Sequence, residues 1–140
     1  KVISTAVLVT LCLGGCKSPE KNVTSKGEKV KIEYWHPNAE TQGGVAVEKL
    51  VSDFNAQSDT VEVVAKFNPD MYKGLLQNLQ AEAAAGNSPA IVQVGWAFLD
   101  YFSNNFEYTA PEDVISKHFP EDKTFLNDNF LPNVLELAKK

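Results

Sequence analysis

Aromatic side chains occur at three points in the sequence, each at or directly after the end of a strand-like segment, and polar side chains accompany the first two. The first runs from Trp35 to Glu40, the second from Asn68 to Tyr72, and the third is Gly95-Trp96. Aromatic rings pack on the apolar C–H faces of sugar rings, and amides and carboxylates exchange hydrogen bonds with hydroxyl groups. We therefore expect a carbohydrate or polyol to bind there. The candidate ligand-binding residues are Trp35, His36, Asn38, Glu40, Tyr72 and Trp96.

Catalysis and metal binding have much weaker support in the sequence. His36 and Glu40 have the spacing of two ligands on one helix face, but Pro37 disfavours a helix there. The Gly-Gly pair at 43–44 lacks the spacing of a phosphate-binding loop or a dinucleotide fingerprint. We expect no cofactor, no metal site and no catalytic residue. One alternative stays open, in which Glu40 and Asp70 are the acid and base of a polysaccharide hydrolase.

The elements that must position these residues alternate between strands and helices. Apolar alternation predicts a strand from Val30 that leads into Trp35 and another over Thr60–Phe67, and a nearly all-apolar run predicts a central strand over Ala90–Val94. Two helices are predicted between them by apolar residues at helical spacing. Their stripes are Val47, Leu50, Val51 and Phe54, and then Tyr72, Leu75, Leu76, Leu79 and Ala83.

The order β-α-β-α-β predicts an α/β fold with a mostly parallel sheet flanked by helices and with right-handed connections. Open sheets of this class bind ligands at the carboxyl ends of their strands. The three aromatic and polar points all follow predicted strands. The predicted fold therefore brings them to the same edge of the sheet.

The charge distribution argues against a nucleic-acid-binding role. The 140 residues include 13 basic and 18 acidic side chains, every basic one is lysine, and the formal net charge is −5. Binding to a phosphate backbone needs clustered positive charge. Apolar residues make up 44% of the chain, which is typical of a globular domain rather than a disordered one.

The amino-terminal residues have the layout of an export signal. Lys1 precedes an apolar run, too short to span a bilayer, that ends in Leu13-Gly14-Gly15-Cys16 and resembles the bacterial lipobox. The resemblance implies that residues 1–15 are removed and that Cys16 is lipidated. Residues 16–29 are rich in lysine and small polar residues, which predicts a flexible tether. We therefore expect a lipid-anchored protein at the cell membrane, facing its extracellular or periplasmic side.

Four segments carry a family resemblance, in this order: Ile32–His36, Val47–Asn55, Met71–Lys73 and Ala84–Val94. Together they resemble the amino-terminal lobe of the extracellular solute-binding proteins that serve ABC importers of sugars and glycerol-phosphate esters. The most specific pieces are the strand that ends in Trp-His, the Phe-Asn end of the first helix, and the Gly-Asn-Ser-Pro-Ala-Ile-Val-Gln-Val segment. The resemblance extends over nearly the whole sequence.

The resemblance implies that residues 30–140 form a periplasmic-binding-protein-like lobe, incomplete and without its second lobe. Two lobes of such a protein close on a solute and present it to a membrane permease, without catalysis. The positions that match cleft-facing strand ends are Trp35, His36, the loop from Asn38 to Gly43, Tyr72 and Gly95-Trp96. The implied partners are a sugar or polyol phosphate and the ABC permease subunits. An arginine for a phosphate could come from the other lobe, so both solute classes stay open. A surface hydrolase and an adhesion lipoprotein are the alternatives.

Overall fold

A computed structural model of the chain describes residues 27–138. Three parallel strands form one sheet in this part of the chain: β1 (Val30–His36), β2 (Val61–Phe67) and β3 (Ile91–Val92). The predicted signal segment, the predicted lipidation at Cys16 and most of the predicted tether lie outside the described residues.

Two long helices connect the strands and four short helices follow them. The connecting helices are α1 (Gly44–Gln57) and α2 (Met71–Ala84). The short helices are α3 (Leu99–Asn105), α4 (Pro111–His118), α5 (Phe125–Asn129) and α6 (Pro132–Ala138). This architecture confirms the predicted α/β fold class, with a parallel sheet flanked by helices. None of the helices described between residues 27 and 138 has the length and apolar character that a bilayer-spanning segment requires.

The strand order β2-β1-β3 places β1 in the centre of the described sheet. β1 pairs with β2 over its full length, from Val30 to His36, and with β3 only at Tyr34 and Trp35. The chain adds β2 on one side of β1 and then adds β3 on the other side. The strand order therefore reverses beside β1, and such a reversal opens a crevice at the carboxyl ends of the strands.

The prediction that Ala90–Val94 forms a central strand is wrong for the described sheet. Only Ile91 and Val92 are in strand conformation, they pair with β1 alone, and Ile91 is 46% exposed. The chain passes from β2 across β1 before it adds β3, so β1 is the strand that is hydrogen-bonded on both sides. An all-apolar run indicates burial, but it does not specify which neighbour lies at each edge.

The hydrophobic core lies between β1 and α2. Trp35 is 1% exposed and packs with three leucines of α2 and with Phe102 of α3. Leu75, one of the three, is fully buried. The helical spacing of Leu75, Leu76 and Leu79 correctly predicted the face that α2 turns to the sheet. Partly buried residues that extend this cluster come from β3 and from the segment after it: Val92, Val94, Phe98 and Phe106.

The apolar stripe of α1 is only partly covered. This helix contacts β2, and Val47 and Val51 are half-buried, but Leu50 is 69% exposed and Phe54 is exposed as well. Right-handed crossovers to opposite sides of β1 place α1 and α2 on opposite faces of the sheet. Since β2 is the edge strand of the described sheet, α1 has less apolar surface to pack against than α2 has.

Asn68 links the end of β2 to β1 and α2 through hydrogen bonds. Its side chain is buried, Nδ2 donates to the carbonyl of Lys66 at 3.1 Å, and Oδ1 accepts from Nδ2 of Asn78 at 2.9 Å. Its backbone N–H donates to the carbonyl of His36 at 2.8 Å. Because its polar groups are paired, the buried amide holds the ends of β1 and β2 and the middle of α2 together.

We expect Leu75→Ala to destabilise the protein by about 2–5 kcal/mol, because a fully buried leucine leaves a cavity in the core when it is truncated. Leu50→Ala on α1 is the matched control, and we expect it to change the free energy of unfolding by only about 0.5 kcal/mol, since this side chain is mostly in solvent. Urea unfolding followed by circular dichroism measures both. Equal losses in the two variants would contradict the assignment of the core to α2.

Candidate functional site

Three connections leave the sheet at the carboxyl ends of its strands, beside β1. The connection after β1 passes through Asn38 and a 3-10 turn at Glu40–Gln42 into α1. The connection after β2 enters α2 next to Tyr72, and the segment after β3 passes through Gln93 to a 3-10 turn that begins at Trp96. Parallel strands end at one edge of their sheet, so the candidate residues on these connections share that edge.

A chain of hydrogen bonds fixes Tyr72 to the sheet. The hydroxyl of Tyr34, on β1, donates to Oε1 of Gln93 at 3.0 Å, and Nε2 of Gln93 donates to the hydroxyl of Tyr72 at 3.1 Å. The backbone N–H of Gln93 also donates to the carbonyl of Trp35 at 2.9 Å. All three side chains of the chain are half-buried. Three separate segments therefore hold one phenol at the edge of the sheet.

The ring of Tyr72 lies directly on the backbone of Gly95. A Cβ atom at this glycine would come within 2.9 Å of the ring, so an L side chain there would displace the tyrosine. The ring centroids of Tyr72 and Phe98 are 6.4 Å apart, in a tilted arrangement. The next residue after the glycine, Trp96, is 78% exposed. The site thus combines the fixed hydroxyl of Tyr72 with the large, solvent-accessible indole of Trp96, the residue next to Gly95.

Trp35 is not part of this surface. Its ring is buried in the core, Nε1 donates to Oε2 of Glu33 at 2.6 Å, and Nζ of Lys66 lies 4.4 Å from the ring centroid. The strand alternation turns this side chain towards α2, which leaves no ring face for a solute. The position of Trp35 therefore indicates a structural role, in contrast to the solute contact expected from the sequence.

His36 is also buried, on the face of the sheet opposite Trp35. It is 3% exposed, and its ring lies 5.6 Å from the ring of Tyr34 and 6.2 Å from that of Phe67, centroid to centroid. Its Nδ1 has no hydrogen-bond partner among the described residues. Burial lowers the pKa of His36, while the carboxylate of Glu48 on α1 opposes the shift. The imidazole is therefore neutral near pH 7 and contacts its neighbours rather than solvent.

Asn38 and Glu40 lie in the connection between β1 and α1. Nδ2 of Asn38 donates to the carbonyl of Gln42 at 3.1 Å, whereas its Oδ1 is buried and has no partner among residues 27–138. Glu40 is exposed. The connection is tight, because a Cβ at Gly44 would lie 2.8 Å from two carbonyl oxygens. The connection thus carries one exposed carboxylate, at Glu40, and one buried amide oxygen, at Asn38, that is unpaired within residues 27–138.

Two consecutive residues before Tyr72 have a left-handed backbone. Asp70 has φ of 62° and Met71 has φ of 52°, a conformation that non-glycine residues rarely adopt. Gly74 makes the tight turn possible, because a Cβ there would collide with the carbonyl oxygen of Pro69. Such conformations persist where the surrounding contacts determine them. The strained turn sets the position from which Tyr72 reaches Gln93.

The structure joins some of the predicted site residues and separates others. Tyr72 adjoins the Gly95-Trp96 segment, Asn38 and Glu40 lie on the connection after β1, and Trp35 and His36 are buried on opposite faces of the sheet. Two further members of the site, Tyr34 and Gln93, are not among the residues predicted from the sequence. Between residues 27 and 138 there is no group of three His, Cys, Asp or Glu side chains that could hold a metal ion.

In comparisons with known proteins, no family model matches the chain, and no curated protein or solved structure is significantly similar to it. What the site can bind therefore follows from its own side chains: an exposed indole and a fixed phenol hydroxyl. These groups suit a solute that has both hydroxyl groups and apolar faces.

We expect the stability of the protein to decrease as the pH falls from 7 to 5.5, with a contribution from His36. Its pKa is lowered in the folded state, so the unfolded chain takes up a proton first as the pH falls below 6.5, and folding then loses free energy. His36→Gln should flatten this dependence, whatever its effect at pH 7. Urea unfolding at several pH values measures the slope, with His118→Gln, an exposed histidine on α4, as the control. An unchanged slope in His36→Gln would contradict this assignment.

Proposed function

We propose that the protein is the lipid-anchored substrate-binding component of an ABC importer, which captures a sugar or a glycerol-phosphate-type solute and delivers it to the permease without catalysing a reaction. In this proposal residues 30–140 form the amino-terminal lobe of a two-lobe clamp. The observation that carries the proposal is the combination of the fixed Tyr72 hydroxyl and the exposed Trp96 indole at the edge where the strand order reverses.

The chemistry of this edge matches the two kinds of surface that a sugar presents. The exposed ring of Trp96 can cover an apolar C–H face, and the hydroxyl of Tyr72 can bond a ring or hydroxyl oxygen. A site of this composition gains affinity from apolar contact and selectivity from a few placed polar groups.

The exposure of Trp96 also fits capture between two surfaces. An indole that remains 78% exposed is only weakly stabilised by its own part of the chain. In a clamp, the solute and the opposite lobe would cover it, and the hydrophobic surface buried on closure would contribute to affinity. A rigid edge with one large uncovered ring is what a binding protein needs on each side of a closing cleft.

We expect Trp96→Ala to weaken solute binding at least tenfold and Tyr72→Phe to weaken it about tenfold, through loss of the stacking platform and of one hydrogen bond. Isothermal titration calorimetry of the full-length gene product, with maltose, sucrose and glycerol 3-phosphate as probes, measures both. Tyr108→Phe, an exposed tyrosine outside the site, is the matched control and should bind like the wild type.

Intrinsic fluorescence adds a second measure, because Trp96 is exposed and Trp35 is buried. Solute should change the emission of the wild type and leave that of Trp96→Phe nearly unchanged. The proposal would be abandoned if the wild type binds none of the probes. Binding that survives Trp96→Ala undiminished would move the solute site away from this edge.

The anchor is part of the same proposal and rests on the lipobox-like segment before Cys16. When cells that express the protein are grown with a palmitate analogue, we expect the wild type and Cys12→Ser to become labelled. Cys16→Ser should stay unlabelled, because Cys16 is the cysteine that follows the cleavage site. The labelled protein should be in the membrane fraction. Label on Cys16→Ser, or its absence from the wild type, would contradict lipid anchorage.

A further inference from the structure

The hydrogen bonds around Gln93 have a definite direction. The hydroxyl of Tyr34 donates to Oε1 of Gln93, and Nε2 of Gln93 donates to the hydroxyl oxygen of Tyr72. The hydroxyl of Tyr72 is therefore used as an acceptor, and its own proton has no acceptor among residues 27–138. A phenol hydroxyl has one proton to donate, and a solute bound at this edge could accept that hydrogen bond.

We infer that Gln93 is a positioning residue that commits the Tyr72 hydroxyl to donate a hydrogen bond to the solute, so that the solute must present an acceptor oxygen at this point. The inference rests on the proposed function, since it names the polarity of one contact in the proposed solute site. A ring oxygen, a hydroxyl oxygen or an oxygen of a phosphate ester meets the requirement. A solute group that can only donate does not.

Three contacts define the surroundings of the Gln93 amide. Tyr34 supplies the donor for Oε1, and burial, with a contribution from Tyr72, raises the pKa of Tyr34, so this phenol keeps its proton at neutral pH. The backbone bond from Gln93 to the carbonyl of Trp35 fixes the segment along β1. The ring of Tyr72 cannot move towards the sheet, because it already lies on the backbone of Gly95.

The reversed amide would have the opposite effect on the site. If Oε1 faced Tyr72, the hydroxyl of that residue would donate to the amide, and its proton would no longer be available to the solute. Tyr34 would then have to accept from Nε2. Gln93→Glu imposes this reversal chemically, because an ionised carboxylate accepts hydrogen bonds and donates none. The substitution nearly preserves the shape of the side chain.

The first experiment measures binding of maltose and glycerol 3-phosphate to the full-length gene product by calorimetry. At pH 7, Gln93→Glu should raise the Kd about tenfold, as much as Tyr72→Phe, and the double variant should be no weaker than either single variant. Gln77→Glu, on the exposed side of α2, is the matched control and should bind like the wild type. Additive losses in the double variant would overturn the inference.

The pH dependence separates positioning from general damage to the fold. A carboxyl group gains a proton near its ordinary pKa of about 4.3, and the protonated group can donate to Tyr72 again. The ratio of the Kd of Gln93→Glu to that of the wild type should therefore decrease between pH 7 and pH 4. A ratio that stays constant over this range would overturn the inference, since the loss of binding would then not follow the charge of the introduced carboxyl group.

The second experiment needs no solute. In nuclear magnetic resonance spectra, the side-chain amide protons of Gln93 should shift strongly in Tyr72→Phe, which removes their acceptor, and weakly in Tyr34→Phe, which removes a donor to Oε1. The opposite pattern would show the reversed amide and overturn the inference. If the amide protons respond as expected but the wild type binds neither probe, the hydrogen-bond polarity stands and the proposed solute-binding function falls.

Discussion

Hydrogen bonding of β1 on both of its edges is the constraint on which the rest of this structure depends. β1 pairs with β2 along its whole length and with β3 at its carboxyl end, so the three strands end together and their connections share one edge. The same strand distributes its side chains to both faces of the sheet. Trp35 packs with the leucines of α2, while Tyr34 and His36 lie on the opposite face. Without a central β1, neither the core nor the Tyr34–Gln93–Tyr72 contacts would form.

The site has a rigid part, Tyr72, and a solvent-exposed part, Trp96, which lie close together. Tyr72 is held by a strained turn before it, by the backbone of Gly95 beneath its ring and by the amide of Gln93 at its hydroxyl. Trp96 follows the same glycine and is mostly in solvent. A rigid polar group costs little entropy to use when a ligand binds, and a large exposed ring gains most from being covered. This division is the physical basis of the proposed solute capture.

Much of the fold could be predicted from periodicity alone. The apolar face of α2 and the order of strands and helices are predicted correctly, because the spacing of apolar residues indicates which face of an element is buried. The function of single aromatic residues could not be read in the same way. The direction of the Trp35 side chain depends on which face of β1 the helix α2 covers. The contact of Gln93 with Tyr34 depends on the pairing register of β3 with β1. Pairing register is a tertiary property, and the sequence of one strand does not contain it.

The buried polar contacts explain how such an edge can be selective although it has few charged groups. An exposed hydroxyl that is free to rotate accepts or donates as the ligand requires, so it discriminates weakly. In the proposed site, Gln93 donates to the Tyr72 hydroxyl, and a solute without an acceptor oxygen at that point would leave the proton of this hydroxyl unpaired. An unpaired polar group in a closing crevice costs more free energy than the matching bond gains. In the proposed function, Tyr34 would contribute to solute selection through its hydrogen bond to the Gln93 amide.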